Sequence, residues 1–461
     1  MFPSTIYLSR REKLQKLISG GIIFFPGNME VPFNYRSNTY HFRQDSSFSY
    51  FFGLNEPNLA GLIDVEENES MLFGNDPDLD DIIWMGPVPG FNERALRAGV
   101  LKTFTYGSLQ SKLQKAIAAG RTIHFLPPYR GESFLELEKL VGAPHSKLLK
   151  HASPELIKAV IELRSVKDKY EISEIELMVG TAYDMHTTAM KMARSGMSER
   201  VIAGTIEGIA ISQGAAVSFP VILSMNGETL HNHFHGNNLQ KGRLLLTDAG
   251  AESELLYASD ITRTVPVDGK FNQRQRDIYN IVLAANLKAI AITNPNTLYK
   301  DVHLAAARVI TEGLKNLGLM KGDIDEAVSQ GAHALFFPHG LGHMLGMDVH
   351  DMEGLGETLV GYNENITRSD QFGLAYLRFA KKPKPGYVLT DEPGIYFIPA
   401  LIDQWRNEKK FEDFINYEKL ESYKDFGGIR IEDDILVTED GCRVLGKPIP
   451  KSVEEIEDLM A

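Results

Sequence analysis

The chain reads as a two-domain α/β (α+β) protein, with a smaller amino-terminal α/β domain over residues 1–162 and a larger domain over 163–461. Three observations carry that expectation. At 461 residues the chain exceeds the length at which one hydrophobic core usually stops growing. Its first third alternates short apolar runs with amphipathic stretches, the pattern of a small α/β layer structure. A charged segment at 163–167 then leads into a long stretch of helical periodicity, which marks the boundary.

In the first domain the apolar runs are GGIIFFPG, LAGLIDV, DIIWMG and TIHFLPP, and SLQSKLQKAIAAG has the pattern of a helix. Past the boundary, Ile172, Ile175, Val179 and Ala182 recur at helical spacing, and the pattern stops near Gly196. Ser198 and Asn272 stand where two further helices would be capped, the second carrying Ile278, Ile281, Val282 and Ala285. These stripes are read as core. No low-complexity segment and no internal repeat is visible.

Composition removes several function classes. A formal net charge of −13 argues against nucleic acid, whose phosphates would be repelled. The one cysteine, Cys442, cannot form an internal disulfide, which fits a reducing cytoplasm. The start, MFPSTIYLSRREKL, lacks the apolar stretch of a signal peptide, and no segment approaches a membrane span. The expectation is a cytoplasmic enzyme with neither nucleic acid nor membrane as partner.

Five residues have the local context of metal ligands: Asp248, Asp260, His343, Glu392 and Glu432. Asp248 ends the apolar run of RLLLTDAG, as a core strand delivers its last side chain to a site. Asp260 opens DITRTVPV, whose β-branched composition predicts a strand. In GGIRIEDDILV, strand alternation would put Arg430 and Glu432 on one face and Ile429 and Ile431 on the other. Glu392 precedes Pro393, which favours an extended backbone, and Gly394 would permit a turn just after it.

Carboxylates gathered this closely repel, and without compensation they would take up protons or open the fold. Two divalent cations offset that charge. Oxygen-rich ligation with one imidazole favours a hard ion such as Mn²⁺, with Co²⁺, Fe²⁺ and Zn²⁺ as other occupants. A metal pair about 3.5–4 Å apart bridges a hydroxide and polarises a carbonyl.

The motifs TDAGAE, ASDITRTVPVDGKF, FFPHGLGHMLGMDVHD, LTDEPGIYF and GGIRIEDDILVTEDG resemble, in order and approximate spacing, those of the pita-bread metallopeptidases aminopeptidase P and prolidase. HFRQDSSFSYFFGLNEPNLAGLIDV, 44–57 in particular, looks like the signature of their shared amino-terminal domain. The likeness covers most of the chain. It implies an amino-terminal domain of the creatinase/aminopeptidase P type followed by a pita-bread catalytic domain.

For the site, the resemblance implies that Asp248 binds one metal, Asp260 and Glu432 bridge both, and His343 and Glu392 complete the second. Glu392 would also shuttle a proton from the bridging water to the leaving nitrogen. It further implies that His231 lies near the substrate and that His350 holds the substrate or stabilises the tetrahedral intermediate. His339 would stand at the rim, and Arg430 would support the metal site. His233 and His235 lack the family spacing and are set aside. Asp433 and Asp434 are read as structural, and Asp351 and Asp391 as supporting or capping groups.

The resemblance implies cleavage between an amino-terminal residue and a following proline, a tertiary amide with no N–H for an ordinary peptidase to dock. ITRTVPVDG is closer to aminopeptidase P, while 353–382 and 401–426 look more like prolidase. Arg378 aligns with the arginine that binds a dipeptide carboxylate in prolidase. The expectation is an Xaa-Pro aminopeptidase that also accepts dipeptides, acting on proline-containing dipeptides and short peptides, with strict prolidase as the alternative. Non-catalytic pita-bread binding proteins and creatinase typically lose several ligands, whereas this chain keeps the set. Methionine aminopeptidase is disfavoured by the large amino-terminal domain and by HGLGHMLGMDVHD. Relatives are commonly dimers or tetramers built from dimers, so a homodimer is expected.

Overall fold

The apolar run at 22–26 becomes a strand next to the edge of a mixed sheet, in a computed structural model that describes residues 1–461. The five strands of that sheet are β1 (Ile22–Pro26), β2 (Ala60–Asp64), β3 (Glu69–Phe73), β4 (Lys102–Phe104) and β5 (Ile123–His124), in the order β4-β3-β2-β1-β5. β1 runs antiparallel to β2 and parallel to β5, and the four residues 22–25 are buried. The run LAGLIDV supplies β2, which is buried throughout. SLQSKLQKAIAAG folds as the helix Leu109–Ala118, burying Leu109, Leu113 and Ala116 at helical spacing.

One feature of this domain departs from the sequence pattern. DIIWMG is no strand: it lies in the helix Leu79–Met85, which is started by a capping box between Asp78 and Asp81 and buries none of its residues. Local capping outweighs its β-prone composition. The motif around Gln44 is structural in a specific way. The Gln44 side chain accepts from the backbone N–H groups of Asn28 at 2.6 Å and Asp45 at 2.8 Å, and donates to the Glu56 carbonyl at 2.7 Å. A fully buried amide thereby has its donors and acceptors used. Asp45 then caps the helix Ser46–Phe52, accepting from Phe48 N–H at 2.8 Å.

The chain forms two compact units, Met1–Arg164 with Glu353–Gly356, and Ser165–Met352 with Glu357–Ala461. The second unit is built from one arrangement used twice. Helices α1 (Lys169–Met192) and α2 (Glu199–Ser212) precede an antiparallel meander of β6 (Ile222–Ser224), β7 (Leu244–Ala249) and β8 (Ile261–Pro266), with β7 central. Helices α3 (Gln273–Ile292) and α4 (Tyr299–Asn316) precede a second meander of β9 (Val388–Asp391), β12 (Asp433–Val437) and β13 (Cys442–Val444), with β12 central. Between them β10 (Gly394–Tyr396) pairs with β11 (Gly428–Arg430).

The helical stripes are core, with Ile175, Val179 and Ala182 buried in α1, and Ile278, Val282 and Ala285 buried in α3. Ile172 and Ile281 lie half-buried at the edges of their stripes. Asn272 caps α3 through a capping box with Gln275. Ser198 occupies the cap position of α2 but makes no side-chain cap bond. The neighbouring Glu199 is fully buried, and its carboxylate accepts from Met225 N–H at 2.8 Å and Asn237 Nδ2 at 2.9 Å.

Candidate active site

The central strands of the two meanders set the site. Asp248 is the penultimate residue of β7, opposite Thr262 of β8 and Ile222 of β6. Asp260 lies one residue before β8, and its backbone N–H donates to Asp434 Oδ2 at 3.0 Å. His343 is fixed by β9: its N–H donates to Thr390 Oγ1 at 3.1 Å and Thr390 N–H donates to its carbonyl at 3.0 Å. Glu392 follows β9, with its N–H on the Leu341 carbonyl at 2.8 Å. Gly394 makes no turn there; it opens β10, where a Cβ would fall 2.5 Å from the Tyr396 hydroxyl.

Glu432 departs from the alternation expected of one continuous strand. β11 ends at Arg430 and β12 begins at Asp433, in a different sheet, so Glu432 sits in the break. What holds it is β8: Glu432 N–H donates to the Thr262 carbonyl at 3.0 Å, and Thr262 Oγ1 donates to Glu432 Oε2 at 2.6 Å. Arg263 fixes the same break from below, donating to the Glu432 carbonyl at 2.6 Å and to Asp433 Oδ1 at 2.7 Å. Asp433 thus points to Arg263 and Lys451, away from the site.

All five candidate ligands line one cavity of about 540 Å³, together with His231, His339, His350, Arg378 and Arg430. One imidazole and two carboxylates, from His343, Asp260 and Glu432, bring ligand atoms within 4.8 Å of one another. His343 Nε2 lies 3.4 Å from Asp260 Oδ2 and 3.7 Å from Glu392 Oε1. Asp248 and Glu392 stand outside that tight trio. Asp248 Oδ2 accepts from Arg430 Nη2 at 2.6 Å, while its Oδ1 is buried without a hydrogen-bond partner.

Burial and mutual repulsion govern the titration of this cluster. Burial, reinforced by the Asp248 charge, pushes the Asp260 carboxyl well above its ordinary range. Burial with Asp260 and Glu392 does the same to Glu432. Glu392 is pushed up to about 8 by burial, with Asp260 and Asp248 adding to it against the pull of Arg430. Such groups hold protons unless a cation takes their place. The unpartnered Asp248 oxygen, the donor set of four carboxylates and one imidazole, and the strained protonation all fit divalent metal ions. His343 presents Nε2 to the cluster because its Nδ1 faces the Met344 carbonyl at 3.0 Å.

Arg430 organises the other wall. It donates through Nε to Thr262 Oγ1 at 3.0 Å, through Nη1 to Tyr396 Oη at 2.7 Å and through Nη2 to Asp248. The Tyr396 hydroxyl in turn meets His339 Nε2 at 2.9 Å, and His339 Nδ1 meets the Gly340 carbonyl at 2.8 Å. Those partners assign the proton to Nδ1. Burial and the Arg430 charge push the His339 pKa down to about 3, so the ring is neutral. His350 stacks edge-to-face on His343 with ring centres 4.2 Å apart. His231 lies exposed at the mouth, and Arg378 Nε lies 3.2 Å from Glu357 Oε1.

Sequence reasoning missed several of these groups. Thr262 and Tyr396 carry the contacts that hold Glu432 and Arg430, yet each acts across a sheet, where one sequence gives no register. His233, set aside from the sequence, lines the cavity. Phe219, Leu230 and Ile398 pack on buried Ile222 and Tyr396 and form an apolar wall.

Comparison with known proteins gives the family of the chain. Residues 175–439 match the model of metallopeptidase family M24, and residues 7–124 match that of the aminopeptidase P, N-terminal domain. The chain is 32% identical over 475 residues to a probable Xaa-Pro aminopeptidase of Aspergillus fumigatus, covering 100% of this chain and 97% of that one. It is 32% identical over 467 residues to the Xaa-Pro dipeptidase of Homo sapiens, covering 98% and 91%. Aminopeptidase P from E. coli with the inhibitor Pro-Leu superposes with a TM-score of 0.82 at 31% identity, covering 100% of this chain and 98% of that chain. A zinc-substituted form of the E. coli enzyme in complex with product gives the same TM-score at 30% identity and the same coverage.

The fold and the matches make this a metal-dependent hydrolase of peptides. The chain belongs to metallopeptidase family M24, with a pita-bread catalytic domain behind an aminopeptidase P amino-terminal domain.

Proposed function

We propose that the protein is an Xaa-Pro aminopeptidase that also accepts Xaa-Pro dipeptides, working with two divalent metal ions, Mn²⁺ in the first instance. The observation that carries this is the single cavity that collects the five ligand candidates, four further histidines and two arginines. Its volume suits a short peptide. The relatives, named both as aminopeptidases and as a dipeptidase, support the same chemistry at two peptide lengths.

Asp248, Asp260, His343, Glu392 and Glu432 would hold the metal ions. When bound, such ions lower the pKa of water and polarise the scissile carbonyl. Glu392, relieved of its own proton once cations hold the cluster, would take a proton from the attacking water and return it to the departing proline nitrogen. His231 and His350 orient the peptide. Neutral His339 is steadied by Tyr396 and faces Glu392, its Nδ1 lying 3.7 Å from Oε2. Arg430 holds Asp248 in place through Nη2, 2.6 Å from Oδ2. Arg378 meets the terminal carboxylate of a dipeptide, and it is the observation that favours strict Xaa-Pro dipeptidase as the second reading.

Offering the Mn²⁺-supplemented protein Gly-Pro, Gly-Pro-Ala and a longer Xaa-Pro peptide separates these readings. Turnover of all three is expected. Turnover of the dipeptide alone would establish the strict dipeptidase, and turnover of none, with a site that cannot be reloaded with metal, would favour a non-catalytic binding protein.

We also propose a cytoplasmic homodimer. The helix Leu79–Met85 leaves Ile83, Trp84 and Met85 exposed, Trp84 to 81%, and a tryptophan this bare is a ready contact for a second copy.

A further inference from the structure

We propose that Lys167, which lies outside every motif pointing to the site, is a positioning residue whose ammonium clamps the turn that carries His350. The proposal rests on the substrate-orienting role given to His350 above. Lys167 Nζ lies 2.7 Å from Asp351 Oδ2, and both side chains are 1% exposed. An ammonium and a carboxylate taken this far out of water lose most of their hydration. Such a pair is weak evidence for stability in itself, and its attested use is to fix one arrangement.

Here the arrangement is the one around the two site imidazoles. Asp351 N–H donates to the Met344 carbonyl at 2.8 Å, and that same carbonyl faces His343 Nδ1 at 3.0 Å. Residues 344–351 are therefore closed into a loop with Asp351 at its base. His350, one residue before Asp351, lays its ring edge-to-face on His343 at 4.2 Å. Lys167 has a fixed backbone from which to pull: its N–H donates to the Gly386 carbonyl at 2.9 Å, and the next residue, Asp168, caps α1 with a capping box.

The interior of the loop is built to admit the pair. A Cβ on Gly346 would fall 2.3 Å from Asp351 Oδ2 and 2.9 Å from Lys167 Cε. Any side chain at 346 therefore competes directly with the clamp. Gly346 is further held by its carbonyl, which accepts from Ala258 N–H at 2.8 Å, so the loop cannot simply slide away.

The test compares Lys167→Met, the double variant Lys167→Met/Asp351→Asn, and Gly346→Ala, each with Mn²⁺ on Gly-Pro and Gly-Pro-Ala, with melting temperatures and a crystal structure of the double variant. Lys167→Met leaves Asp351 buried without this counter-charge, so its melting temperature falls. The double variant removes both charges, and its melting temperature recovers. A merely structural pair would let kcat recover with it. The clamp predicts instead that kcat stays down by about 10²-fold in the double variant, with KM changed by less than about threefold. It also predicts that the His350 ring leaves its contact with His343, and that Gly346→Ala reproduces the loss of kcat. Recovery of kcat alongside stability, or a His350 ring still in place, overturns the proposal. A wild-type protein inactive on every Xaa-Pro peptide would overturn the proposed function, and the ring position in the double variant would then decide the clamp alone.

Discussion

Asp248 shows how much of this site is decided by single atoms. One of its carboxylate oxygens is committed to Arg430 and the other, buried, has no partner, so the residue is neutralised on one side and open on the other. Glu392 shows the same tension through its proton. With its carboxyl raised from 4.5 to about 8, the folded metal-free chain keeps a proton that the unfolded chain releases. Its contribution to stability is therefore full below its ordinary pKa and is lost as pH rises through about 8. Cations take the place of that proton, so the rise in melting temperature on adding Mn²⁺ should grow between about pH 5 and about pH 8. A gain that is flat or shrinks with pH, measured by calorimetry on metal-stripped protein, would contradict it. Arg378→Ala should raise KM for dipeptides by about 10- to 100-fold, the worth of a charged hydrogen bond, and raise it less for longer peptides. Equal effects on both would remove its role. The four acids and one imidazole of the candidate site were legible because each stands in a short local context. Thr262 and Tyr396 were not, because a threonine and a tyrosine in strands look ordinary until register sets them against Glu432 and Arg430.

Helix ends give the next level a direct check. Asn272 has a reciprocal cap with Gln275, whereas Ser198 holds the same position on α2 with no cap bond. Asn272→Ala should therefore cost about 1 kcal/mol in urea unfolding, and Ser198→Ala only a few tenths. Similar losses would mean that Ser198 caps in solution. The two look equivalent in sequence; what separates them is Glu199, whose buried carboxylate is spent on Met225 and Asn237. Helical periodicity was legible in α1 and α3 because a long stripe is a statistical signal. DIIWMG was misleading for the converse reason, since a seven-residue helix started by the Asp78–Asp81 capping box is too short for periodicity to outweigh composition. The break that frees Glu432 from β11 and β12 was likewise hidden, since the alternation of IRIE runs past the end of β11 with no glycine or proline to mark where the chain passes from one sheet to another.

At the scale of the whole molecule, two helices and a three-stranded meander occur twice, and the candidate ligands lie on or beside strands of both meanders. That repetition was invisible as sequence identity because only backbone geometry repeats, while the side chains at equivalent places serve different neighbours. No helix is long and apolar enough to cross a membrane. The bare helix Leu79–Met85 gives the assembly its test: light scattering should report a dimer, and Trp84→Ser with Ile83→Asp should shift it toward monomer. A wild-type monomer would refute the dimer. The central claim is that distant acids and an imidazole are folded together to hold cations that activate water. It is tested most directly by stripping the protein of metal with an exhaustive chelator and following Gly-Pro-Ala hydrolysis. Activity should vanish and return as Mn²⁺ is titrated back to two equivalents, whereas undiminished turnover by protein verified free of metal would contradict the claim.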